Sequence, residues 1–383
     1  MIDFYFDVVC PYAWVASRRL EWLAGVTGRR VRYRPILLGG VLRAVGTVDR
    51  PMDAMPELKR AYTLNDVQRQ ARRVGLEVRY PPDHPRRTVE AMRLLTAAPE
   101  HAVPELAHAL WHAYWVDGAD LTNRATLGSF GIDVAVLDDP AVKDALRANT
   151  EEAVSHGVFG VPTLRCEGFM VWGSDRLVSF ARDLGAQVEA AVPHGPIEVF
   201  HDFASPYSYL GVMTVLEHTP DLVLRPMLLG ALFQSIGTPL VPLATFGPAK
   251  QRWVQDDMVA QARFRGLPFR FPDTFPLHTV QALRVALVEP ATTGPLYLAA
   301  WAHNRNVGDP RVLREVLDDA GFDGAALLDA TADPAIKQAL RENTDSARLR
   351  GVPGAPSFVR PDGEVFWGQD RLDLVAFREG VGA

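Results

Sequence analysis

The sequence predicts an α/β protein in which one unit occurs twice, and three observations support this prediction. The chain contains an internal repeat: the segment that begins at Arg34 is similar to the one that begins at Arg225. The 16-residue segments that begin at Asn149 and Asn343 share seven identical residues. Each copy opens with a strand, a helix and a second strand, an order that implies parallel pairing. Each copy closes with two short strands that form a hairpin. We therefore expect a mixed four-stranded sheet in each copy.

The repeat also predicts the domain boundaries. Each copy has about 190 residues, a normal size for a single domain, and we expect domains at 1–190 and 196–383. Residues 183–196 run from a helix into a Pro/Gly break and form the predicted junction. Apolar residues at helical spacing predict a helical insertion at about 55–155 in the first copy and about 248–350 in the second.

The strands are predicted from short alternating or apolar runs. Two of them open each copy, before and after the first helix, and two close it. In the second copy Pro361, Asp362 and Gly363 supply the turn between the closing strands, and a last helix begins at the Asp-Arg-Leu of each copy. The predicted strands are Ile2–Val8, Val31–Leu37, Thr163–Cys166 and Phe169–Trp172 in the first copy, and Ile197–Phe203, Leu222–Leu228, Ser357–Arg360 and Glu364–Trp367 in the second.

Composition argues against several classes of function. Hydrophobic residues make up 48% of the 383 residues, which is typical of a globular chain. With a net charge of −6 the chain has no general attraction to nucleic acid or to anionic membranes, and we expect neither as a partner. The first residues are interpreted as a strand and not as a signal peptide. Because two cysteines cannot form a disulfide framework, we expect a reducing, cytoplasmic setting.

Cys10 and Ser205 occupy equivalent positions, directly after the first strand and before a Pro-Tyr pair that begins a helix. Free N–H groups and the helix dipole stabilise an anion at such a position. A cysteine there can have a depressed pKa, and we expect this for Cys10. A serine there can donate a hydrogen bond to the thiolate of another molecule. The alternative is that Cys10 is a small buried side chain and Ser205 a plain N-cap, but the turn occurs in both copies, which favours a functional position.

A proline stands just before the third strand of each copy, in Gly-Val-Pro-Thr (160–163) and Gly-Ala-Pro-Ser (354–357). Proline cannot donate to the sheet ladder at such a position. One interpretation is a cis peptide bond that leaves the backbone of the preceding residue available to a ligand. The other interpretation is an ordinary proline at a sheet edge, and the residues alone do not decide between the two.

Taken together, the Cys/Ser-Pro-Tyr turn, the Val-Pro-Thr loop and the Trp-Gly-x-Asp-Arg-Leu motif resemble the DsbA-like thioredoxin superfamily, and within it the kappa-class glutathione transferases and 2-hydroxychromene-2-carboxylate isomerases. The resemblance covers both halves of the chain. It implies two tandem thioredoxin-like domains, each with a helical insertion, and a site for glutathione or another low-molecular-weight thiol.

The same resemblance implies roles for particular residues. Ser205, or Cys10 in the first copy, faces the sulfur of glutathione, and the residue before the loop proline pairs with the cysteinyl backbone. The two residues after Trp-Gly hold the γ-glutamyl end, and a lysine contacts a carboxylate. The residues so implied are Val161, Pro162, Ser174, Asp175 and Lys59 in the first copy, and Ala355, Pro356, Gln369, Asp370 and Lys250 in the second.

The chain departs from the pattern of these families at several positions. Thr47 and Thr238 stand where the family often has asparagine. The first copy has Cys10 in place of serine and Ala13 in place of a resolving cysteine, which excludes a two-cysteine cycle within that copy. The second copy has Gln369 in place of serine.

Other candidate residues have structural interpretations. His108 and His112 have the spacing of metal ligands on a helix, but a third ligand is not obvious, and we expect no metal. Cys166 lies within a predicted strand, and we expect a buried free thiol. Four aromatic residues of the helical regions are expected in the core, the alternative being the wall of a flat substrate pocket. They are Trp111, Tyr114, Trp115 and Trp301.

Three hypotheses for function follow from these observations. The leading one is a glutathione-dependent isomerase or transferase that acts on a small, hydrophobic, aromatic or conjugated substrate. The second is a monothiol oxidoreductase, in which Cys10 forms a mixed disulfide with glutathione. The third is a non-catalytic binding or scaffold protein. The two copies are expected to form a pseudo-dimer within one chain, with homo-oligomerisation as a further option.

Overall fold

The first copy folds around a four-stranded mixed sheet, as the sequence predicted; the computed structural model describes residues 1–219 and 221–376 of the chain. The strands are β1 (Ile2–Phe6), β2 (Val31–Pro35), β3 (Thr163–Cys166) and β4 (Phe169–Trp172). Their order in the sheet is β2-β1-β3-β4. β1 pairs parallel with β2 and antiparallel with β3, and β3 and β4 form the closing hairpin.

Helices surround this sheet, and most of them lie in the insertion between β2 and β3. Two follow β1, one follows β2, five form the long middle region and one follows β4. These helices are α1 (Pro11–Ser17), α2 (Leu20–Thr27), α3 (Leu38–Ala44), α4 (Glu57–Arg73), α5 (Val89–Ala97), α6 (Val103–Trp115), α7 (Arg124–Gly128), α8 (Pro140–Ser155) and α9 (Leu177–Asp183).

The second copy repeats this plan. Its strands are β5 (Ile197–His201), β6 (Leu222–Pro226), β7 (Ser357–Val359) and β8 (Val365–Trp367), in the order β6-β5-β7-β8. The pairing is again parallel for the first two strands and antiparallel for the others. Its helices are α10 (Pro206–Leu216), α11 (Leu229–Ser235), α12 (Pro248–Phe264), α13 (Val280–Val288), α14 (Thr293–Trp301), α15 (Pro310–Asp319), α16 (Gly324–Ala330), α17 (Pro334–Leu349) and α18 (Leu372–Ala376).

The opening strands end earlier than the sequence predicted. β1 ends at Phe6 because the buried carboxylate of Asp7 turns the chain: it accepts the N–H of Val9 at 3.1 Å and that of Leu38 at 2.9 Å. The hydroxyl of Thr88 donates to the same carboxylate at 2.8 Å. One aspartate therefore joins the end of β1 to the starts of α3 and α5.

The aromatic residues of the helical regions lie in the core, which confirms the first of their two interpretations. Trp111, Tyr114, Trp115 and Trp301 are completely buried. The indole N–H of Trp115 donates to the carbonyl of Val8 at 2.9 Å, and that of Trp301 donates to an equivalent carbonyl in the second copy at 2.8 Å. The indole rings of Trp115 and Trp301 thus hold the loop after the first strand in place. The four aromatic side chains lie in the core and do not form a pocket wall.

The chain divides into two compact units that nearly follow the repeat. In residues 1–219 and 221–376, every helix is too short or too polar to cross a bilayer. Each unit contains the sheet of one copy and a short segment whose sequence belongs to the other copy. The first unit comprises Met1–Met55, Thr63–Glu189 and Gly247–Trp253, and the second comprises Pro56–Tyr62, Ala190–Phe246 and Val254–Ala383.

Candidate functional site

Ser205 is the N-cap of α10, and its hydroxyl is held on two sides. The oxygen accepts the backbone N–H of Ser208 at 3.1 Å, which is a normal capping bond. The hydroxyl proton is donated to the carbonyl of Ala355 at 3.0 Å. Ser205 is buried. The cap thus brings the start of a helix against the loop that precedes β7.

Cys10 occupies the matching place at the start of α1. Its thiol donates to the carbonyl of Val161 at 3.3 Å. Burial raises the pKa of Cys10 to about 12, more than the N–H groups of Ala13 and Tyr12 lower it, and the charge of Asp7 adds to the rise. The expectation of a depressed pKa was therefore wrong, because removal of water from the thiolate costs more than the helix terminus returns.

The loop prolines are in the cis conformation, at Val161–Pro162 and Ala355–Pro356. This confirms the cis peptide bond of the first interpretation. That the backbone of the preceding residue serves a ligand stays a prediction. The carbonyl of each proline accepts an N–H from the Trp-Gly motif, from Gly173 at 3.0 Å and from the matching glycine of the second copy at 2.9 Å. The proline loop and the Trp-Gly motif are therefore joined by backbone hydrogen bonds in both copies.

Glycine is required in the Trp-Gly motif. Gly173 and Gly368 have φ values of 104° and 106°, a conformation that side chains rarely adopt. A Cβ atom at Gly368 would lie 2.3 Å from Oδ1 of Asp370. The aspartate carboxylate thus lies directly against the backbone of the glycine two residues before it, and Asp175 does the same in the first copy.

In the first copy the polar residue after Trp-Gly is bonded to other side chains. The hydroxyl of Ser174 donates to Oε1 of Gln70 at 2.6 Å, and Nε2 of Gln70 donates to Asp66 at 2.8 Å. The hydroxyl of Tyr12 donates to the same carboxylate at 3.2 Å. Asp66 and Gln70 are not among the residues implied by the family resemblance, but the repeat contains a signal for them, because α12 has Asp257 and Gln261 at the same spacing.

In the second copy the corresponding residue, Gln369, is left without such a bond. It is buried, and within the described chain neither Oε1 nor Nε2 of its amide has a hydrogen-bond partner. Gln261, which matches Gln70, instead accepts a bond from Arg265 at 2.8 Å, and Arg265 also donates to the backbone carbonyl of Gln369 at 3.0 Å. Burying an unpaired amide group costs about 1–3 kcal/mol.

α10 lies close to Gln369 and to the cis-proline loop. α10 has Gly211 where α1 has Ala16. A Cβ atom at Gly211 would lie 3.3 Å from the Cβ of Gln369 and 3.0 Å from the ring of Pro356. The glycine therefore lets α10 lie close to the loop that contains Pro356, whereas the first copy has alanine at the equivalent position.

The two lysines lie over aromatic rings. In the second unit, Nζ of Lys59 is 4.8 Å from the ring centroid of Phe233 and 5.1 Å from that of Trp367. In the first unit, Nζ of Lys250 is 5.0 Å from the ring centroid of Trp172. Burial lowers the pKa of Lys59 to about 8 and also lowers the pKa of Lys250. Each lysine thus belongs to the unit built on the other copy's sheet, whereas the resemblance assigned it to the copy of its own sequence.

Comparison with known families agrees with this geometry. The sequence profile of the DSBA-like thioredoxin domain matches the chain twice, at residues 1–185 and 196–378. The chain belongs to the DSBA-like thioredoxin domain family. Each of its two copies has the mixed sheet, the helix after the first strand and the cis-proline loop described above.

Individual relatives match one copy of this DSBA-like protein. The 2-hydroxychromene-2-carboxylate isomerase of Pseudomonas putida is 30% identical over 193 residues, which are 48% of this chain and 94% of the isomerase. Glutathione S-transferase kappa 1 of Homo sapiens is 25% identical over 217 residues, 50% of this chain and 94% of the transferase. A solved structure of a 2-hydroxychromene-2-carboxylate isomerase has a TM-score of 0.41 and 26% identity, over 48% of this chain and 94% of that one.

The core behind the DSBA-like site differs between the copies. In the second copy Nδ1 of His201, the last residue of β5, is 2.9 Å from the hydroxyl of Tyr297. The first copy has Phe6 and Trp111 at these positions, with ring centroids 5.1 Å apart. Burial lowers the pKa of His201 to about 3, so the imidazole is neutral at physiological pH.

Two other sets of candidate residues lie apart from this chemistry. Nδ1 of His112 is 3.2 Å from Asp117, and His108 packs on Trp111. Over residues 1–219 and 221–376, metal-ligating side chains do not form a cluster of three. Cys166 is a buried free thiol, as expected.

Proposed function

We propose that this DSBA-like protein is a glutathione-dependent isomerase or transferase acting on a hydrophobic, conjugated substrate, and that its thiol site is in the second copy. The observation that supports this most directly is the hydroxyl of Ser205, a buried donor at a helix start and beside the cis-proline loop. Relatives named as 2-hydroxychromene-2-carboxylate isomerase and glutathione S-transferase kappa support the class of reaction.

The residues of the second copy fit glutathione. The tripeptide carries carboxylates, an ammonium group and amides, and therefore needs both donors and acceptors. Gln369 supplies one of each, since its buried amide has no partner within the described chain. Asp370, whose Oδ1 is 3.1 Å from the guanidinium of Arg371, adds acceptor oxygens beside it, and the backbone of Ala355 borders the serine hydroxyl. Binding would remove the cost of the unpaired amide.

Ser205 would act as a hydrogen-bond donor to the sulfur. Its hydroxyl has a single proton, which is directed to the carbonyl of Ala355 in the structure. Rotation about the Cβ–Oγ bond would redirect this proton to an incoming thiolate, while the N–H of Ser208 remains bonded to the oxygen. A hydrogen bond to a charged group contributes about 1.5–3 kcal/mol, which corresponds to a thiol pKa lower by roughly one to two units.

Glutathione, when bound, supplies a thiolate that adds to a conjugated carbon and leaves again after rotation about the former double bond. In the transferase case the glutathione sulfur stays bonded to the substrate carbon. The protein's contribution in both cases is to hold the thiolate and to orient it toward the reacting carbon.

Cys10 carries the second candidate function, a monothiol oxidoreductase. Its thiol lies beside a cis-proline loop just as Ser205 does, with 3.3 Å to the carbonyl of Val161. A pKa of about 12 leaves a negligible thiolate fraction at neutral pH. Because the thiolate is the form that attacks a disulfide, this candidate ranks below the first.

Two substitutions separate the candidates. Turnover is measured with glutathione and either 2-hydroxychromene-2-carboxylate or 1-chloro-2,4-dinitrobenzene. Ser205→Ala is expected to lower kcat by roughly 10²-fold or less, because it removes one hydrogen bond to a charged group. Cys10→Ser is the matched control at the same position of the first copy and is expected to retain most of the activity.

The opposite pattern would support the oxidoreductase. If Cys10→Ser abolishes disulfide exchange with oxidised glutathione while Ser205→Ala has little effect, the thiol is the reacting group. If neither substitution changes any measured rate, neither side chain takes part in catalysis, and the result favours the third hypothesis, a binding or scaffold protein.

A further inference from the structure

A groove of about 730 Å³ opens in the first unit between α3, α5 and α8. Its lining includes none of the residues that were implied to hold glutathione. Sites for small molecules in proteins have volumes of about 300–1,000 Å³, so the groove is large enough for one. It therefore needs an explanation separate from that of the thiol site.

The floor of the groove is aliphatic. Leu37 and Val89 stand at the starts of α3 and α5, and Leu146 and Val154 lie two turns apart on α8. Gly40 adds a position without a side chain, where a Cβ atom would approach Thr150 to 3.1 Å. Among its lining residues there is no aromatic ring. Such a floor suits a saturated chain better than a stacked ring.

The rim of the groove is positively charged. Its lining contains four cationic side chains and two acidic ones. Two of the cations already have acidic neighbours, since Arg147 is 3.0 Å from Asp144 and Lys143 is 3.7 Å from Asp138. The guanidinium of Arg93 donates to the carbonyl of Leu137 at 3.4 Å, but its buried Nε has no hydrogen-bond partner among the described residues. The cations are Arg43, Arg93, Lys143 and Arg147, and the acids are Asp144 and Glu151.

We propose that this groove binds an amphipathic carboxylate with a saturated chain. The carboxylate pairs with Arg43 and Arg93, and Arg147 adds to the positive potential of the rim. The chain covers the floor formed by Leu37, Leu146 and Val154. Charge complementarity selects an anion, and the aliphatic floor selects its chain. This proposal does not depend on the glutathione chemistry, because it concerns binding alone.

Calorimetry with the full chain tests the proposal, with decanoate as the probe. Decanoate is expected to bind with a Kd below 1 mM, and 1-decanol and butyrate at least tenfold more weakly, because each lacks one of the two recognised parts. Arg43→Glu and Arg147→Glu are expected to weaken decanoate binding at least tenfold. Both side chains are exposed, so the fold should tolerate the change. The matched control is Arg341→Glu at the equivalent, exposed position of α17.

A decanoate analogue with a diazirine on its chain locates the site in the unmodified protein. Cross-links are expected in peptides that contain α3, α5 or α8. The proposal is overturned if the cross-links lie elsewhere, if 1-decanol binds as tightly as decanoate, or if Arg341→Glu weakens binding as much as Arg147→Glu. Since the cross-linking uses the wild-type chain, it decides the question even where a variant fails to fold.

Discussion

Cys10 and Ser205 show how one atom changes the use of the same position. Both side chains donate to a carbonyl beside a cis proline, at 3.3 Å and 3.0 Å. Burial raises the pKa of a thiol and so suppresses the form that reacts. A serine that acts only as a hydrogen-bond donor does not have to ionise, so burial does not harm it. The same environment therefore disfavours a nucleophile in the first copy and suits a donor in the second.

The raised pKa of Cys10 predicts a slow, strongly pH-dependent reaction with iodoacetamide. Below a pKa of about 12 the thiolate fraction rises tenfold for each pH unit. The alkylation rate of Cys10 should therefore rise about tenfold per unit from pH 7 to pH 10 without a plateau. It is measured by mass spectrometry in a Cys166→Ser variant, with Cys10→Ser as the blank. A plateau near pH 8, or a glutathione adduct formed readily at neutral pH, would contradict the buried state of the thiol.

At the scale of elements, the contact between β5 and α14 distinguishes the second copy. A neutral imidazole and a phenol, His201 and Tyr297, form a hydrogen bond where the first copy packs Phe6 on Trp111. Nε2 of His201 has no partner within the described chain, so protonation would place an uncompensated charge in the core.

This pair predicts a loss of stability in acid. The pKa of His201 is about 3 in the folded protein, against 6.5 when exposed. Between these values the unfolded chain binds a proton that the folded chain does not, so the free energy of unfolding falls as the pH decreases from 6.5 towards 3. From pH 7 to pH 5 the wild type should lose about 2 kcal/mol more than His201→Phe. Urea unfolding at both pH values measures this, and equal losses would refute it.

The glycine of the Trp-Gly motif provides a test of the loop geometry. Gly368→Ala places a Cβ atom 2.3 Å from the Asp370 carboxylate and forces a side chain into a φ of 106°. Unfavourable backbone conformations of this kind cost about 1–3 kcal/mol. The free energy of unfolding should fall by that amount, and glutathione binding should weaken with it. Gly25→Ala in α2, where a Cβ atom meets nothing within 4 Å, is the control that should leave both unchanged or slightly improved.

At the scale of the whole molecule, the two copies share a fold but differ in how their polar groups are paired. The first copy joins Ser174, Gln70 and Asp66 in one chain of hydrogen bonds. In the second copy Gln261 accepts a hydrogen bond from Arg265, and the amide of Gln369 has no partner within the described chain. A ligand gains more from the second arrangement, because it does not have to displace an existing bond.

This difference predicts unequal glutathione binding. Calorimetry should find one tight equivalent per chain, with any second equivalent at least tenfold weaker. Gln369→Ala should weaken the tight site at least tenfold, since it removes two groups that can each contribute about 1 kcal/mol or more. Ser174→Ala is the matched control in the first copy and should leave that site unchanged. Two equal equivalents per chain, or an unaffected Gln369→Ala variant, would show that the copies do not differ in this way.

The sequence by itself determined the repeated architecture and the position of the candidate site. Strands, turns and helix starts depend on residues close in the chain, so alternation, prolines and glycines predicted both sheets and placed Cys10 and Ser205 at helix starts. The family resemblance then implied most of the site residues. Tertiary structure alone decided which of these residues are buried and which form hydrogen bonds within the protein. Gln70 accepts a hydrogen bond from Ser174, which is 104 residues away in the sequence. The pKa of Cys10 is raised by atoms that pack around it from distant segments. Burial and long-range hydrogen bonds depend on how those segments meet, and a local pattern carries no information about that.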